Sequence, residues 1–135
     1  MTFVEVAAVV AAVLMAAVVA FQLALAAGLP LGEATMGGRA STADGVLNPP
    51  FRVMALGSAV VLALAAWIVL GRAGIAPALL GREALVWAAW LVAGFMALNT
   101  VSNLSGHHPL ERFGMASVTL IGAVLVGYVA FAAPT

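Results

Sequence analysis

The chain contains no cysteine and no lysine, and only 7% of its 135 residues are charged. Without thiols there is no disulfide framework, no thiolate nucleophile and no cysteine to carry a lipid anchor, and thiol redox chemistry is excluded. Without lysine, no glycine-rich segment is completed into a phosphate-cradling loop, which needs a Gly-Lys-Ser/Thr ending. A net charge of zero with no basic stripe argues against nucleic acid as a partner. Soluble domains carry roughly a quarter of their residues charged, so a chain that is 65% hydrophobic must use lipid as its solvent. Alternation of apolar and polar residues is missing too, and that excludes a membrane β-barrel.

What is present is four continuous apolar runs, at 6–27, 53–70, 84–98 with a polar tail to 104, and 113–133. Each reaches or approaches the roughly 20 residues that cross a hydrocarbon core about 30 Å thick as helix. The expected fold is all-α, a polytopic four-transmembrane-helix bundle with a long first connection. It forms a single membrane domain over 1–135, with helices at about 3–27, 51–71, 83–104 and 110–132 and a loop at 28–50. The expected location is a cell (inner or plasma) membrane, crossed several times. Ala24-Leu25-Ala26 has the small-residue pattern of a signal cleavage site. The apolar stretch before it is too long for a signal sequence and opens with Glu5 and no basic residue, so a retained helix is expected.

Four crossings sort the polar residues by face. If the N-terminus lies on face A, the connections at 28–50 and 105–111 lie on face B and the link at 71–82 lies on face A. Trp67, Trp87, Trp90 and Tyr128 then fall toward face A, where amphipathic rings anchor at headgroup level. Face B collects Glu33, Arg39, Asp44, Arg52, Asn99, Asn103, His107, His108, Glu111 and Arg112, with Gln22 about a turn and a half inside. Arg72 and Arg82 oppose Arg39, Arg52 and Arg112, a bias of two against three that leaves the orientation unassigned by the positive-inside rule.

The candidate ligand-binding residues are therefore Gln22, Glu33, Arg39, Arg52, Asn99, Asn103, His107, Glu111 and Arg112. Asn99 and Asn103 are four apart and share a helix face, with His107 next in that row. Carboxamides in hydrocarbon need partners, so they either join the third helix to the first through Gln22 or line a polar cavity. His107-His108-Pro109 with Glu111 invites a metal reading, but adjacent histidines point apart and Pro109 suits the start of a helix, so no metal site is assigned. Glu111 complements the dipole of the fourth helix, whereas Arg52 and Arg112 oppose the dipoles at their own helix starts. They either snorkel to lipid phosphates or pair with Glu33, Asp44 or Glu111 beneath a folded loop. That loop, long for so small a bundle, either lies flat or turns back into the bundle, where irregular backbone needs shielding. Small residues recur every fourth position at Ala8, Ala12, Ala16, Ala20, Ala24, Gly28 and Gly32, a pattern that permits close helix approach.

Phe21-Gln22-Leu23, Gly28-Leu29-Pro30-Leu31-Gly32, Gly37-Gly38-Arg39, Asn103-Leu104-Ser105 and Glu111-Arg112 together resemble a group of small four-helix bacterial integral membrane proteins with no established activity. The resemblance spans most of the chain and implies that the face-B motifs belong together; it implies nothing about substrate. Two functions are expected to compete. One is a polar vestibule that binds or transports a small ligand or lipid. The other is a structural or assembly subunit that docks on a larger membrane complex, or on copies of itself, without its own ligand. No nucleophile, metal set or cofactor motif is complete, so neither an enzyme nor a cofactor is assigned.

Overall fold

Thr2 starts the first helix by a reciprocal cap: its hydroxyl accepts from the Glu5 amide at 3.2 Å, and the Glu5 carboxylate accepts from the Thr2 amide at 2.6 Å. Helix α1, Phe3–Ala27, ends at Gly28 with φ 111°, a left-handed residue that lets the Leu29 amide reach back to the Ala24 carbonyl at 2.9 Å. Helix α2, Pro49–Arg72, begins with two prolines, tolerated there because the first helical amides have no intrahelical partner. Helix α3, Arg82–Leu104, follows the short face-A link. A π-helical turn, Leu110–Met115, opens into α4, Ala116–Ala132. The computed structural model describes residues 1–40 and 42–134.

The result is an all-α four-helix bundle whose four long helices, Phe3–Ala27, Pro49–Arg72, Arg82–Leu104 and Leu110–Ala132, are each apolar enough to cross a membrane. Its exterior suits lipid, not water: Phe3 and Phe131 are more than 80% exposed, and Leu91, Leu98 and Val124 are also exposed. Helix α1 packs chiefly on α2, and α3 on α4, with α1 also against α4. Helices α2 and α3 touch less, and an apolar groove runs between them along Leu64, Ile68, Leu91 and Phe95.

The interior is lined largely by alanine, including Ala8, Ala11, Ala59, Ala65, Ala89 and Ala93, with Met15 and Met96 among the largest buried side chains. Small side chains let backbones approach where lipid removes the hydrophobic drive to associate. The period-four seam expected on α1 does not form the contact. Ala8 is buried, but Ala16 and Ala20 are exposed, and the buried positions run Ala8, Ala11, Met15, Val18 and Leu25. A period of four drifts about 40° per step, whereas alternating steps of three and four stay on one neighbour.

The first connection does not lie flat: it turns back onto the bundle, where Ala34 and Thr35 are buried. It is a folded cap that shares a small core with α1 and α2 on face B. A 3₁₀ turn at Gly32–Ala34 and a left-handed turn over Met36–Gly38, with φ of 53°, 66° and 71°, precede a two-stranded antiparallel hairpin, β1 Thr42–Ala43 with β2 Val46–Leu47. Asp44 and Gly45, at φ 52° and 81°, make the type I′ turn that matches strand twist. Gly45 has no room for a side chain, since a Cβ there would lie 2.9 Å from the Pro30 carbonyl oxygen. Leu47 and Ala40 pack with Leu25 of α1 and Ala55 of α2, which pins the cap to one side of the bundle.

Candidate functional site

The site begins where α4 begins. The Leu110 amide donates to His108 Nδ1 at 3.2 Å, so His108 caps the π-helical turn while His107 points away and is exposed. A π-turn inserts an extra residue into the helical repeat, and such turns recur at functional sites. Here it accompanies Glu111 turned inward, only 2% exposed. The carboxylate crosses to the cap, where Oε1 accepts from the Gly37 amide at 2.8 Å. Gly37 has φ 66°, a left-handed conformation that glycine adopts without steric cost. On its other side the carboxylate lies against Gly106, where a Cβ would stand 2.7 Å from Glu111 Cδ. The second oxygen, Oε2, is buried and has no partner.

That carboxylate borders a cavity of about 240 Å³ to which every helix contributes: Gln22 from α1, Ser58 from α2, Asn99 and Asn103 from α3, and Thr119 from α4. Thr35 and Met36 of the cap close it toward face B, and Phe21, Leu62, Phe95 and Met96 supply apolar wall. Thr119 is the hub of the polar side. Its hydroxyl oxygen lies 2.9 Å from the Thr100 hydroxyl, which also has the Met96 carbonyl at 3.0 Å, and receives the Asn103 amide at 3.5 Å, while its own hydrogen has the Met115 and Ala116 carbonyls at 2.9 and 3.2 Å. Asn99 donates back to the Phe95 carbonyl at 2.8 Å. The Gln22 carboxamide oxygen, like Glu111 Oε2, is buried without a partner. Glu111 carries the one formal charge in the lining.

Of the nine residues singled out in the sequence, Gln22, Asn99, Asn103 and Glu111 meet at this cavity. Glu33 and His107 instead border a separate depression beside Gly37 and Gly38, and Arg39 is exposed. The arginines do not take the carboxylate partners considered for them. Arg52 Nε donates to the Ala26 carbonyl at 2.6 Å, so its charge serves the negative end of α1 rather than its own helix start. Arg112 is exposed and lies 5.7 Å from the centre of the Phe113 ring.

Sequence reasoning passed over Thr100, Thr119 and Gly106, and took Gly37 only as part of the Gly37-Gly38-Arg39 motif. For the threonines a signal existed: Thr100 adjoins the Asn99 and Asn103 row, and Thr119 is a hydroxyl inside an otherwise apolar run. It also passed over Arg72 at face A, which is buried and donates to the carbonyls of Ala130, Ala133 and Pro134 at 3.3, 2.6 and 2.8 Å. Set beside known protein families, curated proteins and solved structures, the chain finds no match in any of the three.

Proposed function

We propose that the chain is a multi-pass protein of a bacterial cell membrane that binds a small solute in the face-B cavity and moves it across or into the bilayer. One observation carries this reading: Glu111 is buried yet keeps one carboxylate oxygen unpartnered at the cavity wall. An ionised carboxylate without compensation costs several kcal/mol even after relaxation, and buried polar atoms in stable structures are almost always bonded. A bundle selected for packing alone has an easy remedy in an apolar residue. Retaining the charge beside a polar cavity fits an occupant that completes it. The size of the space selects a solute over a whole lipid, since 240 Å³ falls below the roughly 300–1,000 Å³ of pockets for drug-sized ligands.

The test is native mass spectrometry of the protein released gently from its own membrane, compared with Glu111→Gln. A stoichiometric adduct of small mass that disappears in a variant of unchanged helicity is the expected result. A bare chain, or one retained only with another polypeptide, is what an assembly subunit would give, and that result would overturn the binding reading.

A further inference from the structure

We infer that the occupant of the cavity is a small protonated primary amine, its ammonium group held by Glu111 and Gln22 and its short apolar tail lying against the phenylalanine and methionine wall. This rests on the reading of the cavity as a binding site and adds the chemical class.

The two buried polar atoms left without partners are both acceptors, Glu111 Oε2 and Gln22 Oε1. The Thr100 hydroxyl is directed toward Met96 or Thr119 and the Thr119 hydroxyl toward Met115 or Ala116, and none of the other donors in the lining, on Thr35, Ser58, Ser102, Asn99 and Asn103, bonds either acceptor. The two unpartnered acceptors thus call for donors from an occupant. An anion is disfavoured because Glu111 supplies negative charge and no arginine or histidine lines the space. A divalent cation is disfavoured too: calcium takes six to eight oxygens, several of them carboxylates, whereas this lining holds one carboxylate. Among the described residues no three His, Cys, Asp or Glu side chains gather to hold a metal ion. A quaternary ammonium matches the charge but has no N–H for the two empty acceptors. A primary ammonium matches both, having one positive charge and three donors, as the lysine head group does. Phe21 and Phe95 border the same space, and aromatic rings near an ammonium add attraction. The apolar walls give an alkyl tail somewhere to go.

The experiment is titration calorimetry of the full chain in zwitterionic nanodiscs with butylammonium, tetramethylammonium, butyramide and butyrate. One-to-one butylammonium binding is expected, at least tenfold tighter than tetramethylammonium, with no heat from butyrate. Glu111→Gln should weaken it at least tenfold and Gln22→Leu should weaken it measurably, both retaining the parental circular dichroism spectrum. If Glu111→Gln does not fold, Gln22→Leu alone decides the matter. Butylammonium binding that neither variant weakens would overturn the inference, because the amine would then sit elsewhere. Binding of butyrate or butyramide in preference to the amine, lost in Gln22→Leu, would overturn the amine class and leave the binding reading intact. If none of the four binds, both fall.

Discussion

Among the described residues, Arg72 and Glu111 are the charged side chains that the bundle buries, at 6% and 2% exposure, and they sit at opposite faces. Their surroundings differ in kind. Arg72 reaches three carbonyl oxygens at the end of α4, where the helix dipole is negative and the carbonyls have no helical partner; only its Nε is left over. Glu111 has a single protein donor, the Gly37 amide, and a buried second oxygen with no partner, in a residue that borders a cavity. A buried charge that closes a helix end is used up by its own fold. Glu111 instead keeps bonding capacity that its own fold does not use. Arg52 belongs with Arg72 in this respect, since it caps α1 from a neighbouring helix.

The contrast can be broken at the Arg72 end first. Arg72→Met leaves the last carbonyls of α4 without donors; the three charge-assisted bonds, worth about 1.5–3 kcal/mol each, are partly offset by relief from burying the guanidinium, so a net loss of roughly 2–4 kcal/mol is the expected outcome. Thermal and denaturant unfolding in detergent micelles should register it, and an unchanged midpoint would remove the structural role of Arg72. A smaller effect is expected from Gly106→Ala, which drives a methyl group into the space of the Glu111 carboxylate. Overpacking of this kind costs about 1–3 kcal/mol, and the displaced carboxylate should also lose its Gly37 bond. Hydrogen exchange at the Gly37 amide reports that directly, and exchange as slow as in the parent chain would contradict the clamp. The mildest change is Arg52→Met. Removing one partly buried cap at a helix C-terminus should cost about 1 kcal/mol, with faster amide exchange confined to the last turn of α1. A loss as large as that of Arg72→Met would show that face B depends on its arginine as heavily as face A does.

Legibility followed the range of the interaction. The four helices could be read because a spanning segment must satisfy its backbone within itself and hide it in apolar side chains, so about 20 consecutive residues carry the whole signal. The start of α2 at Pro49 rather than 51 is a matter of caps, since two prolines fit a first turn as well as the end of a loop. The candidate site was half legible. Asn99, Asn103, Gln22 and Glu111 stood out because polar groups in hydrocarbon are costly, while Arg39, Glu33 and His107 stood out equally and lie away from the cavity. The hairpin had a local signal, Asp44-Gly45, but it was hidden in a connection whose length suggested irregularity.

The sequence alone determined that this is an all-α protein of four lipid-suited helices with its polar groups concentrated toward one face, because hydropathy sums locally over each helix and needs no knowledge of neighbours. Only the tertiary structure decided which of those groups meet. Gly37 and Glu111 are 74 residues apart, and Arg72 and Pro134 are 62 apart. A hydrogen bond depends on donor and acceptor arriving within about 3 Å with the right direction, and no spacing along one helix encodes the arrival of a partner from another.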